Sequence, residues 1–302
     1  MKIGNTPLIR LEKLSEPGCA DIYVKYEGAN PTGSMKDRMA LSMIEGAERR
    51  GQLKAGNSVV EFTGGSTGSS LAMVCAVKGY KAHLVSSDAF AFEKLQTMRA
   101  FGAQLDIVPS EGGKITATLF PAMRARVQEV LKTQGTFWTD QFNNADNPGG
   151  YHDMAREIIR ELGSDISEFV MGVGTGGAFS GNAVVLKKEI PSIKCIAVEP
   201  YFVRAISGGD TSGKHKLEGI GTGTIPANFR KDLNDETVAV KDEDAMDTAR
   251  KLARLEGVWG GTTGGANVWA AIQRARIVGK GKKIVTIIPD SGLKYLNGEL
   301  YK

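Results

Sequence analysis

The stretch SVVEFTGGSTGSSLAMVCAVKGYKAHLVSS, residues 58–87, decides the fold. A β-branched run from Ser58 to Thr63 ends in a glycine loop, an amphipathic stretch runs from Ser69 to Lys78, and a second β-branched run spans Ala82 to Ser86. Strand, helix and strand in that order make parallel strands joined by a crossover helix. The alternation continues with a helix over Glu93 to Phe101 and a strand over Leu105 to Val108. Past it come a helix around Tyr151 to Leu162, strand Phe169 to Val173, helix Gly181 to Glu189 and strand Cys195 to Val198. Strand Val238 to Val240, helices Glu243 to Glu256 and Ala266 to Ile277, and strand Lys283 to Ile288 complete the pattern, with Asp242 placed to cap the helix from Glu243. The polar segment TDQFNNADNPGG, residues 139–150, separates two such runs, so the expected architecture is α/β, two domains facing a cleft.

Composition narrows the function classes. The chain has 302 residues, of which 38 are glycine, well above the usual share of roughly 7%. The glycines follow no period of three and sit among well-mixed aliphatic residues, which excludes a fibrous chain. The net charge of +4 is spread over 38 basic and 34 acidic residues, without the clustered basic surface that nucleic acid requires. The N-terminal MKIGNTPLIRLEK has no apolar signal region, and the longest apolar runs, such as LAMVCAV at 71–77, are too short to span a membrane. Three scattered cysteines, Cys19, Cys75 and Cys195, form neither a disulfide framework nor a metal set, so the expected compartment is the cytoplasm.

Fifteen of the 38 glycines fall in four windows, 64–68, 172–181, 219–223 and 260–265. In FVMGVGTGGAFSG, residues 169–181, an apolar run enters a glycine loop and leaves as a helix, the pattern that lets backbone N–H groups cradle a phosphate. It departs from the dinucleotide fingerprint because Phe179 stands where GxGxxG requires glycine, although Glu199 follows where an acidic ribose ligand would stand. In EFTGGSTGSSLAMV, residues 61–74, Gly64, Ser66 and Gly68 spell GxSxG. Two readings are open there: a serine nucleophile, or a carboxylate-binding loop built from Thr63, Ser66, Thr67 and the helix start. Lys36, in NPTGSMKDR, opens a helix and is the reactive group in prospect, while Asp37 and Arg38 read as surface charges or a local supporting pair. In GGTTGGANVWAA, residues 260–271, the hydroxyls of Thr262 and Thr263 stand at a helix start.

Taken in order, IGNTPLIRL, NPTGSMKDR, TGGSTGSSLA, TDQF, GTGGAFSG, VEP, HKLEGIGTGTIP and PDSGLKY resemble the cysteine synthase (O-acetylserine sulfhydrylase) family of fold-type II pyridoxal-phosphate enzymes, related to the core of cystathionine β-synthase. The resemblance implies two three-layer αβα domains of the tryptophan synthase β type with a cofactor cleft between them. The smaller, mobile domain at 38–142 would take the substrate carboxylate, and the larger one, 1–37 with 143–302, the cofactor phosphate. It implies that Lys36 bonds covalently to pyridoxal 5'-phosphate, that Gly174, Thr175, Gly176, Gly177 and Ala178 hold its phosphate, and that Ser66 and Thr263 contact its ring. Thr63, Gly64, Ser66, Thr67, Gln141 and Gly221 are then the substrate-binding residues, and the assembly is a homodimer. Three departures stand out: TGGSTG where the family reads TSGNTG, Ala178 for a common threonine, and GTTGGA for GISSGA.

The resulting expectation is β-replacement on an activated serine, O-acetyl-L-serine and sulfide giving cysteine. Alternatives within the same cofactor chemistry are a β-lyase of the cysteine desulfhydrase or serine dehydratase type, or a different β-replacement using O-phosphoserine or homocysteine. From other classes, a serine hydrolase would use Ser66 and a nucleotide-binding module would use Glu199. No metal, nucleic acid or membrane partner is expected.

Overall fold

A computed structural model describes residues 2–302. The strands are β1 (Leu8–Arg10), β2 (Asp21–Tyr26), β3 (Ser58–Phe62), β4 (Lys81–Ser87), β5 (Gln104–Val108), β6 (Thr136–Trp138), β7 (Glu168–Gly172), β8 (Lys194–Pro200), β9 (Glu236–Val240) and β10 (Lys283–Ile288). The chain divides into two compact units, one made of residues 36–146 with the extreme N-terminus and the other of 4–35 and 147–302.

The 36–146 unit holds a four-stranded parallel sheet in the order β5-β4-β3-β6. Val60, Phe62 and Val85 of this sheet pack against Leu119, Met123, Val127 and Val130 of the helix Leu119–Val130. The other unit is built on a six-stranded sheet in the order β1-β2-β10-β7-β8-β9, parallel throughout except that β1 runs antiparallel to β2 at the edge. All five residues of β7 and the last five of β10 are buried, which requires cover on both sheet faces, as a parallel sheet with crossover helices has.

Three helices begin three or four residues earlier than the sequence pattern places them: Ser66–Lys78, Gly177–Glu189 and Thr262–Val278. The first turn of each is rich in Gly, Ser or Thr. Low helix propensity is tolerated there because the first N–H groups have no intrahelical partner in any case. Asp242 is itself the first residue of its helix, and its carboxylate accepts the Lys216 N–H at 2.9 Å instead of capping. Asp37 and Arg38 are buried, contrary to the reading as surface charges, and the Asp37 carboxylate accepts from the Ser70 hydroxyl at 2.6 Å.

The helix Thr262–Val278 is fixed to the sheet by a buried ion cluster. Arg274 donates to both oxygens of Glu168 on β7, at 2.8 and 2.6 Å, and also to Glu236 on β9. Glu168 is 3% exposed, so removing the guanidinium leaves a buried carboxylate without its counter-charge. Arg274→Ala is therefore expected to lower the free energy of unfolding by about 3 kcal/mol in urea titration, while Arg10→Ala, which breaks an exposed pair with Asp21, changes it by less than about 1 kcal/mol.

Candidate active site

In the 36–146 unit, β3 ends at Phe62 and the next helix begins at Ser66, so Thr63, Gly64 and Gly65 make the whole turn. The Thr63 hydroxyl oxygen accepts from the N–H groups of Gly65 at 3.1 Å and Gly68 at 3.2 Å. Both lone pairs are thereby used, which leaves the hydroxyl proton as its remaining hydrogen-bonding group. No backbone carbonyl accepts from Gly64, Ser66 or Thr67. Free N–H groups at a helix start, with one oriented hydroxyl among them, make a cradle for a small anion. Thr67 donates to Gln141 Oε1 at 2.8 Å, which brings Gln141 to the same loop. Ser66 is half-buried and its hydroxyl makes no hydrogen bond to the protein among the described residues.

Lys36, half-buried, is the first residue of the helix Lys36–Arg49. The residues just before it belong to the second unit, within which Met35 donates to the Pro289 carbonyl at 2.8 Å and Ser291 to that of Gly33 at 2.9 Å.

In the second unit, β7 ends at Gly172 and the helix Gly177–Glu189 opens after a short loop. Among the described residues no backbone carbonyl accepts from residues 174–179, which leaves a second row of N–H groups without a backbone acceptor at a helix start. Thr175 accepts from Asn147 Nδ2 at 3.2 Å, and Ala178 is buried, with its carbonyl bonded to Asn182 Nδ2. Gly176 has φ +83°, and a Cβ there would lie 2.5 Å from the Phe229 backbone nitrogen. Gly221 donates to the Val173 carbonyl at 3.2 Å, so the 219–221 loop lies against this one. Thr262 and Thr263 both grip Glu218: Thr262 Oγ1 accepts its N–H at 3.1 Å, and Thr263 donates to its carbonyl at 2.6 Å.

Two rivals fail on this geometry. A nucleophile elbow holds its serine on a strained turn beside a histidine. Here the only non-glycine residues of positive φ among those described are Asn5 and Asp140, and Ser66 touches no histidine. His83 pairs with Asp106, and His215 spends Nδ1 on the Leu217 N–H and Nε2 on the Gly221 carbonyl. Glu199 is no ribose ligand: it is 2% exposed, and its oxygens are taken by the N–H groups of Ile206 and Ser207 and the Ser207 hydroxyl. Burial pushes the thiols of Cys75 and Cys195 up to about 12, away from nucleophilic use. Among the described residues no group of His, Cys, Asp and Glu is arranged to hold a metal, and no helix is long and apolar enough to cross a membrane.

The family model described as "Pyridoxal-phosphate dependent enzyme" matches residues 1–290. The chain belongs to the pyridoxal-phosphate dependent enzyme family. A curated cysteine synthase from Staphylococcus aureus is 41% identical over 302 residues, covering 99% of this chain and 95% of that protein. Among solved structures, a hydrogen sulfide-producing enzyme from Fusobacterium nucleatum aligns with TM-score 0.91 at 39% identity, over 97% of this chain and 96% of that one. O-acetyl serine sulfhydrylase isoform 3 from Entamoeba histolytica aligns with TM-score 0.92 at 34% identity, over 99% and 89%.

The residues present suit the cofactor of this pyridoxal-phosphate dependent enzyme. The N–H row at 174–179 suits a phosphate, and Lys36, at a helix start, offers an amine of the kind that the family's chemistry uses. The departure at Gly64 has a local cause that sequence reasoning missed: a Cβ at 64 would lie 2.5 Å from Cε1 of Phe90, whose ring fills the space a serine side chain would need. Phe90 in turn packs on Phe120, with ring centroids 6.3 Å apart.

Gly64→Ser alone is therefore expected to raise the KM for an amino-acid substrate about tenfold, and Gly64→Ser with Phe90→Ala to recover most of that loss, in steady-state kinetics. Gly176→Ala combines a left-handed backbone with a backbone clash, and is expected to weaken pyridoxal-phosphate binding at least about tenfold in a fluorescence titration.

Proposed function

We propose that the chain is a cysteine synthase, replacing the acetate of O-acetyl-L-serine with sulfide. The observation that carries this is the pair of N–H cradles at 63–68 and 174–179 in a chain 41% identical, over 99% of its length, to a cysteine synthase. In this reading the 174–178 loop holds the cofactor phosphate, and the 63–68 loop with Gln141 takes the substrate α-carboxylate. Bound pyridoxal phosphate supplies the electron sink that weakens bonds at the substrate Cα.

The residues divide the remaining work. Thr63 donates its hydroxyl proton to the carboxylate, and the N–H groups of Gly64, Ser66 and Thr67 join it, fixing the orientation of Cα. Lys36 would hold the cofactor through its side-chain amine; set free, its Nζ would accept the Cα proton as acetate leaves Cβ and return it as sulfide adds there. Thr263 is assigned to the cofactor ring nitrogen, a role in which its hydroxyl proton would turn from the Glu218 carbonyl to that nitrogen. Its hydroxyl is neutral, so it does not force that nitrogen to stay protonated as a carboxylate partner would, which suits elimination at Cβ rather than transamination. Ser66, with its hydroxyl unbonded in the protein, replaces the longer amide of the family pattern, and Gly221 lines the substrate side.

A second reading keeps the same residues and completes the elimination with water, releasing hydrogen sulfide from cysteine. The 39% identity to the Fusobacterium nucleatum enzyme favours it. The resemblance also implies a homodimer, which light scattering of the purified protein tests.

Protein supplied with pyridoxal phosphate is expected to show the visible band of the lysine-bound cofactor, and borohydride is expected to fix the label on Lys36. O-acetyl-L-serine with sulfide should yield cysteine, and Lys36→Ala should lower turnover at least about a thousandfold. Pyruvate and ammonia as the main products select the second reading. A colourless protein that takes up no cofactor overturns both.

A further inference from the structure

One buried acid stands behind the carboxylate loop and takes no part in the chemistry above. Glu61 is the fourth residue of β3 and is wholly buried. Its four hydrogen-bond partners are all donors: Oε1 accepts from the Phe62 N–H at 3.0 Å and the Trp138 indole at 3.3 Å, and Oε2 from the Thr139 hydroxyl at 2.7 Å and the Gln141 N–H at 2.9 Å. Four donors and no acceptor match an ionised carboxylate. Two of these bonds reach the segment carrying Gln141, whose side chain bridges back to Thr67 at 2.8 Å and, from Nε2, to the Phe62 carbonyl at 3.3 Å. Glu61 thereby ties the end of β3 to the residue that completes the cradle.

We propose that Glu61 is a positioning residue for substrate: its carboxylate fixes the Gln141 and Thr67 pair in the shape that receives the α-carboxylate, and the pair loosens when Glu61 takes up a proton. The proposal rests on the reading of the 63–68 loop as an amino-acid site.

Among the described residues no cation is paired with Glu61 in the ion pairs of this unit. On the elements packed against β3, His83 and Arg126 both engage Asp106, Lys78 engages Glu45 and Glu48, and Lys81 is exposed. Arg124 lies over the Trp138 ring, 5.5 Å from its centroid, and the Cys75 thiol is neutral. Burial therefore dominates and raises the Glu61 carboxyl to about 7, against the four hydrogen bonds that favour its charged form. Below that pH one oxygen carries a proton, and the donors facing it lose an acceptor. Affinity for the amino acid then falls as pH falls through about 7.

The test uses the holoenzyme and reads the Kd for L-serine from the change in the cofactor's visible band at pH 6 and pH 8.5, in wild type and Glu61→Gln. An amide at 61 presents N–H groups to two donors at every pH. The ratio of variant to wild-type Kd is expected to be about tenfold at pH 8.5 and to shrink towards about twofold at pH 6, where wild-type Glu61 is itself mostly protonated. Taking the ratio cancels the ionisation of L-serine and of Lys36. Pyridoxal-phosphate affinity should change less than about twofold, since the 174–178 loop lies in the other unit.

Thr139→Val, which removes one bond to the charged form, should move the pH midpoint of serine affinity upward, and serves if Glu61→Gln does not fold. A Kd ratio near one at pH 8.5, or the same ratio at both pH values, overturns the proposal, as does an unmoved midpoint in Thr139→Val. Failure of O-acetyl-L-serine to turn over sinks the substrate assignment alone, because the α-carboxylate of L-serine still reports on Glu61. Holoenzyme that responds to no amino acid sinks the amino-acid site and Glu61's role with it.

Discussion

The N–H groups that open a helix have no partner within it, and two helices here leave theirs without a chain acceptor just past the C-terminal ends of parallel strands. One row follows β3 and the other follows β7. In the proposed reading each row receives an anion, which supplies the acceptors that these N–H groups lack in the chain. Much of the surrounding structure keeps those groups uncapped and correctly aimed. Thr63 accepts from two loop amides and keeps its proton, and Asn147 donates to Thr175.

The glycines take their meaning from the same constraint, though not in the way their number first suggests. In the 172–181 loop the space a side chain would occupy is filled by the protein's own second layer. The Gly219 carbonyl stands behind Gly174, the Phe229 nitrogen behind Gly176, the Asn147 amide behind Gly177 and the Pro148 carbonyl behind Gly181. Close packing at the back fixes the loop while its N–H groups stay free. At 63–68 the filling is softer, made of Phe90 against Gly64, the Lys94 stem against Gly65 and Met98 against Gly68.

Much of this was legible in the sequence, because the βαβ alternation and the glycine windows are local signals. The apolar run of β10 coincides with the observed strand, whereas the sequence pattern starts the helices at Ser66, Gly177 and Thr262 too late, because glycine, serine and threonine resemble loop. Strand β2 escaped notice because Lys25 interrupts its apolar run. That lysine is fully buried and neutralised by Glu157 at 3.0 Å and Glu161 at 3.2 Å, partners more than 130 positions away in sequence. β6 is three residues long and carries no periodicity. In the site, Lys36, the 63–68 loop and the 174–178 loop were visible as motifs, but Phe90 and Glu61 were not. The only mark Glu61 leaves is a charge inside the apolar run SVVEF, and three of its four donors lie in a segment nearly eighty residues on.

The central claim is that the two N–H rows have different anions, a cofactor phosphate at 174–178 and an amino-acid carboxylate at 63–68. A diffraction structure of the protein with pyridoxal phosphate and L-serine bound tests it directly. The expected density places phosphate oxygens about 3 Å from the nitrogens of Thr175 to Ala178, and the α-carboxylate at the same range from the Thr63 hydroxyl and the nitrogens of Ser66 and Thr67. Phosphate seated away from the 174–178 loop, or a carboxylate that leaves the 63–68 loop empty, would contradict it.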